Sequence, residues 1–222
     1  MIRYLRAAPF IVFLGGAFVM FLFSLAIACC PGRSYNPCMR MLSYLGRTQI
    51  NRVHDPLCHD LFMSALLLSA GIVAFFYPAL SCFVKNRHSK SCLRWGGTFT
   101  ATGLLMIAFI PENVSQAFHN IGCFVAAFGG ALAMIILAFK RNNPKVSPLI
   151  RWGWLAWSAA LITLFEFFLL AHRLQLLPFA PYVPTTQKVV ILTFSAWLIQ
   201  YAFLLFKCTR ASFMPCRDNV LK

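Results

Sequence analysis

Ile110-Pro111-Glu112-Asn113-Val114-Ser115-Gln116-Ala117-Phe118-His119-Asn120-Ile121-Gly122 is a short polar break between two long apolar runs. Only a helix or a closed barrel satisfies its own backbone polar groups in hydrocarbon. The flanking runs are continuous rather than alternating, which excludes a barrel. The break is therefore a turn joining two antiparallel helices at one membrane face. Asn113 with Gln116 has the spacing of a cap and its reciprocal partner, so the helix after the turn is expected from Val114.

The same pattern repeats along the chain. Of 222 residues, 60% are apolar and 11% charged, too few charges for a soluble domain of this length. An apolar run of about 18 residues spans a hydrocarbon core about 30 Å thick. Six runs qualify, at about 9–30, 60–84, 95–110, 114–139, 152–171 and 188–206. The expectation is an all-α polytopic membrane protein, six transmembrane helices in one bundle forming a single domain over 1–222. The first run also resembles a signal peptide, with Ala26-Ile27-Ala28-Cys29 near its end, but it is long for one and reads better as an uncleaved span.

The connections carry the charge. Residues 31–58 form the longest, with Met39–Leu45 expected as a short interfacial helix ended by Gly46. Residues 85–94 and 140–151 are basic, and 207–222 is a basic tail. With the N-terminus inside, fourteen of the twenty Lys and Arg fall on inside segments. That bias gives an N-in and C-in topology in a cell (inner) membrane. The net charge of +15 then belongs to loops facing anionic lipid rather than to a nucleic-acid interface. Trp152, Trp154 and Trp157 form an aromatic belt, and Pro78 should kink the second span. Gly122, Ala126 and Gly130 recur every four residues, the spacing that lets helices approach closely in lipid.

This topology collects the proton-active groups on the outer side: Asp55, Asp60, Glu112, Glu166, His54, His59, His119 and His172. The candidate ligand-binding set is His59, Asp60, Glu112, His119, Glu166 and Lys188. Glu166, inside Leu164–Phe168, is the sharpest anomaly, because a carboxylate in hydrocarbon must face the bundle interior and pair or be protonated. His59, Asp60 and His119 offer an alternative set for zinc. A structural hydrogen-bond network is the plain alternative to both. Cys29, Cys30, Cys38 and Cys58 fall at the outer side, where a disulfide is allowed, and Cys38 with Cys58 is the pair to test. No phosphate loop, dinucleotide fingerprint, Gly-x-Ser-x-Gly or Cys-x-x-Cys is present, so no motif marks an enzyme.

Met41-Leu42-Ser43-Tyr44-Leu45-Gly46, then His59-Asp60-Leu61-Phe62, Gly103, Pro111-Glu112 and His119, resemble the bacterial membrane family catalogued as domain of unknown function 998. The likeness covers roughly residues 10–206. Gln187-Lys188 is similar to a pair that precedes the last span in that family. Ile110 and His59 depart from its pattern, which has Phe and often Asn there. The resemblance implies six spans and assigns no function. The layout is more distantly similar to DRAM/Frag/Sfk-type membrane proteins, linked to lipid organisation.

Two functions fit these residues. One is a protein that binds, senses or moves a lipid or small amphiphile through an outward-facing polar pocket, with membrane lipids as partners, no cofactor and no nucleic acid. The other is a metal-assisted lipid hydrolase at the outer face. Self-association into a homo-oligomer stays open.

Overall fold

The computed structural model describes residues 2–30, 35–50, 53–54, 56–139, 147–179 and 181–211. Six long helices dominate: α1 Ile2–Cys29, α2 Pro56–Leu80, α3 Arg87–Phe109, α4 Gln116–Phe139, α5 Pro148–Arg173 and α6 Tyr182–Ala211. Consecutive helices pack side by side and α6 closes on α1, which makes a ring of neighbours. A 3-10 turn, Leu42–Gly46, lies in the connection after α1, and a second, Ser81–Phe83, extends α2. The two-residue strands Gln49–Ile50 and Val53–His54 pair antiparallel. The connection after α1 thus ends at Pro56, earlier than its expected limit at residue 58.

Five helices among the described residues are long and apolar enough to cross a membrane: α1, α2, α4, α5 and α6. The expected third span is the exception. α3 opens with Arg87, Lys90 and Arg94 and carries Gly96, Gly97, Thr98, Thr100, Thr102 and Gly103. Thr98 and Thr102 are exposed, but Gly96, Gly97, Thr100 and Gly103 are buried, and packing is the reason for them, because α3 is clasped between α2 and α4. A Cβ at Gly97 would stand 2.6 Å from Tyr77 Cβ on α2. On the other side, one at Gly103 would stand 2.3 Å from Ala126 N, and one at Gly129 2.4 Å from Gly96 O. Small residues on both helices let the backbones touch, and in lipid such packing replaces the missing hydrophobic drive.

Two of the three expected small residues, Gly122 and Ala126, lie in this seam. Gly130 does not: it faces α6, where a Cβ would meet the Phe194 ring at 2.9 Å, and Gly129 takes its place against α3. A helix advances about 100° per residue, so strict four-residue spacing drifts off the seam and a 4-3-4 pattern stays on it.

Buried side chains form two clusters. One fills the end remote from residues 35–50: Phe76 and Tyr77 of α2, Leu93 of α3, Met134 and Leu137 of α4, and Trp197 and Tyr201 of α6. Tyr77 meets the Trp197 ring edge-on at 6.2 Å, and Phe83 meets Tyr201 at 5.7 Å. The other, at the opposite end, joins Ala26, Tyr35, Tyr44, Leu45, Cys58, Phe62 and Ala108. α1 packs on α2 and α6 as part of the bundle. α5 is the least enclosed helix, held mainly to α6 through Trp157 Nε1, which donates to Thr193 Oγ1 at 3.2 Å, and through Trp154 with Gln200.

Helix ends differ from expectation in one instructive place. α4 starts at Gln116, not Val114, and Asn113 is not its cap. The Asn113 side chain is turned the other way and holds Thr48. The basic connection at 140–146 and the tail from 212 lie outside the described residues, as do Asp55 and the side chain of His54.

Candidate functional site

Residues 35–50 fold down over the ends of α2, α3, α4 and α6 as a cap. Apolar residues anchor it, with Tyr44 and Leu45 buried against Phe62 and Ala108. Gly46 sits where a Cβ would come 2.6 Å from the Phe62 ring, so glycine lets the chain lie flat on α2. Polar contacts then fix it to three helix ends. Ser43 Oγ donates to Glu112 Oε2 at 3.2 Å, and Arg47 Nη2 donates to Glu112 Oε1 at 3.3 Å. Thr48 N donates to Asn113 Oδ1 at 3.3 Å, and Asn113 Nδ2 donates back to Thr48 Oγ1 at 2.9 Å. Leu42 N donates to Gln187 Oε1 at 2.9 Å, and Lys188 Nζ donates to Arg40 O at 2.7 Å. The polar turn at 111–115 is therefore the socket of the cap.

His59 and His119 each have a defined role here. His59 Nδ1 donates to Gly46 O at 2.8 Å and pins the end of the 3-10 turn. His119 is only 3% exposed, and its Nδ1 donates to Ile110 O at 3.0 Å, closing the α3 end onto α4. With the proton on Nδ1, the neutral ring presents Nε2 as an acceptor. That Nε2 is buried without a partner, as are Tyr35 Oη and Arg47 Nε in the cap. Burial, and next the nearby Cys30 thiol, push the Tyr35 phenol up to about 12. The cations of the cap lie on aromatic faces: Arg40 and Arg47 are 4.8 and 5.0 Å from the Tyr44 ring centre, and Lys188 is 5.7 Å from that of Tyr35.

Of the expected set, Glu112 and Lys188 bind the cap directly, His59 binds it through Gly46, and His119 lies in its socket. Asp60 is exposed and takes no part. Glu166 does not face a sealed interior either. It is exposed on α5 and makes no hydrogen bond or ion pair with any described residue. The cause is the loose seating of α5, which leaves that side of the helix uncovered. Among the described residues no three His, Cys, Asp or Glu side chains group as metal ligands, so His59, Asp60 and His119 are not assembled into a zinc site. Cys38 and Cys58 are not joined. Cys38 is exposed, while Cys58 is fully buried with Sγ 3.4 Å from both Leu45 O and Ala26 O.

Ser43, Arg47, Thr48 and Gln187 are the partners that sequence reasoning did not assign. Their contacts join residues separated by 65 to 145 positions, and no local pattern encodes such pairings. An apolar groove between α1 and α2, lined by Phe10, Leu14, Leu68 and Ile72, offers no polar group and is remote in character from this site. The chain matches no family model, no curated protein and no solved structure. Fold and site define a helical protein, five of whose helices are long and apolar enough for a membrane, with a polar cap over one end of its bundle.

Proposed function

We propose that this protein is a six-span cell-membrane protein, N-in and C-in, that binds a lipid or small amphiphile at its outer, capped end. The orientation rests on the basic residues concentrated at the opposite end, which match a cytoplasmic face. α3 counts as the sixth span because Gly96, Gly97, Thr100 and Gly103 are enclosed against α2 and α4, while the exposed Thr98 donates its hydroxyl to Arg94 O within the helix.

The observation that carries the binding function is the set of buried, unpartnered polar atoms at the cap: Tyr35 Oη, Arg47 Nε and His119 Nε2. Buried polar groups are nearly always hydrogen-bonded, and exceptions point to a ligand or water. These three combine donors and an acceptor, which suits the mixed polarity of a lipid headgroup. The basic cap adds attraction for a phosphate. Kinship with the 998 family belongs to the same proposal. Ser43 bonding Glu112 brings together two of the motifs that carry that resemblance.

The test is mass spectrometry of organic extracts from protein purified in mild detergent. Wild type should carry a defined amphiphile near stoichiometric amount, and His119→Ala should lose most of it while remaining monodisperse. An extract free of amphiphile, or equal retention by His119→Ala, refutes the assignment.

A further inference from the structure

The edge of the cap that meets α6 is built around an ammonium group. Lys188 Nζ donates to Arg40 O at 2.7 Å and to Pro184 O at 3.1 Å. Both acceptors are carbonyls, so these contacts hold the group in place without neutralising it. An ammonium has three donors, and the third makes no hydrogen bond to a described residue. The chain bends around this group. Met39 N and Arg40 N both donate to Asn36 O, at 3.0 and 2.9 Å, and Cys38 N donates to Asn36 Oδ1 at 2.9 Å. The Tyr35 ring, which opens that turn, has its centre 5.7 Å from Lys188 Nζ.

Charge and hydrogen bonding are out of balance here. The Arg40 guanidinium lies 4.8 Å from the Tyr44 ring centre and makes no hydrogen bond or ion pair with a described residue. Glu112, the carboxylate that the cap uses, is committed to Ser43 and Arg47. Tyr35 is 7% exposed, and its Oη is buried without a partner. That hydroxyl stands on the rim of the ring beneath Lys188 Nζ, close enough for one phosphate group to touch both. The edge thus gathers two cations and three unused donors, an ammonium, a guanidinium and a hydroxyl, and no described carboxylate pairs with them. A buried polar group left without a partner costs stability until a ligand or water completes it. At this edge the completing group is an anion.

We infer that the edge between the cap and α6 seats the phosphate of an anionic amphiphile, with Lys188 and Arg40 supplying charge and Tyr35 a directed hydrogen bond. This rests on the amphiphile-binding function proposed above and specifies the charge of the ligand and the side of the cap that holds it. An ionised phosphate ester offers several acceptor oxygens and no donor, the complement of this set. Residues 36–40 are exposed throughout, and their turn is the part of the cap that yields to admit a headgroup to Tyr35. A free phosphate ion carries the same oxygens, so the experiment separates the two sources.

The probes are dihexanoyl phosphatidic acid, dihexanoyl phosphatidylcholine and inorganic phosphate, measured by equilibrium dialysis against the purified full-length protein in mild detergent. Phosphatidic acid should bind saturably and about tenfold more tightly than phosphatidylcholine, whose trimethylammonium group cancels the charge. Arg40→Gln should weaken phosphatidic acid binding by about tenfold, the scale of one charge-assisted hydrogen bond, and Tyr35→Phe by about fivefold. The Arg40 side chain is exposed and Tyr35 Oη has no partner, so both variants should fold, and either one decides the matter alone. Equal affinity for the two lipids, or phosphatidic acid binding unchanged in both variants, overturns the inference. Inorganic phosphate that displaces phosphatidic acid at equal concentration keeps the anion site and overturns its assignment to an amphiphile. If wild type co-purifies with an amphiphile that His119→Ala loses, yet does not prefer phosphatidic acid, the phosphate assignment falls and the cap function stands. Absence of any bound or co-purified amphiphile removes both.

Discussion

Replacing Gly103 with alanine tests whether the α3–α4 seam holds the bundle together. The new Cβ would stand 2.3 Å from Ala126 N, 2.5 Å from Gly122 O and 2.8 Å from Ala126 Cα. All three are backbone atoms, so no side chain can rotate away. Restoring an ordinary contact of 3.4 Å requires the helices to part by about 1 Å, which loosens the matching contacts at Gly96, Thr100 and Gly129. Overpacking of this kind costs about 1–3 kcal/mol. Alanine's better helix propensity returns about 0.5–1 kcal/mol. The net loss, about 1–2 kcal/mol, corresponds to a fall in Tm of roughly 2–8 °C for a chain of this size. Thermal unfolding in detergent, followed by size-exclusion chromatography of heated samples, reads this directly. Gly153→Ala is the control, because nothing lies within 4 Å of its Cβ position, and it should leave Tm unchanged or slightly raised. If Gly103→Ala is as stable as Gly153→Ala, the close-packed seam is not what holds α3 in place.

Breaking the Arg47–Glu112 pair by Glu112→Gln should cost no more than about 1 kcal/mol overall, since the two side chains are 33% and 19% exposed. It should instead speed amide exchange in residues 42–48, and unchanged exchange there would show that the apolar anchors alone seat the cap. Tyr35 holds its proton to about 12, whereas an unfolded tyrosine releases it near 10.0. The folded state binds the extra proton between those values, so stability falls as pH rises through that window. Tyr35→Phe should flatten this slope in alkaline unfolding curves, and an identical slope would contradict the burial of the phenol. In a cysteine-free background, Lys90→Cys should react with an impermeant maleimide only from the cytoplasm and Ser115→Cys only from outside. The reverse pattern would invert the topology, and labelling of both from one side would remove α3 as a span.

The turn at 110–122 shows how much of the molecule is written locally. Its polarity between two apolar runs placed a helix–helix connection there, and hydrophobic length alone placed the other helices, because the hydrocarbon core sets a minimum run that composition reveals directly. Charge in the connections likewise sorts them into two groups without reference to any contact. The small residues of α4 marked a close-packed face, with an error of one position at Gly130. A spacing rule cannot say which neighbour each small residue meets.

Other features depend on partners distant in sequence. Asn113 has the composition of a cap residue and is instead turned to Thr48, because the cap offered it both a donor and an acceptor. Cys38 and Cys58 share a face in sequence terms, yet the packing buries one under Leu45 and leaves the other exposed. Glu166 was legible as an anomaly, but its exposure follows from how loosely α5 is seated, which no local pattern encodes. The sequence by itself determined that this is a bundle of apolar helices with a polar turn between the third and fourth, since burial of hydrocarbon and satisfaction of backbone hydrogen bonds are properties of each segment alone. Only the tertiary structure decided that Glu112 and Asn113 hold a cap, that His119 keeps an uncommitted nitrogen, and that Glu166 is exposed, because each is a relation between helices whose side-by-side approach is set by the fit of their surfaces.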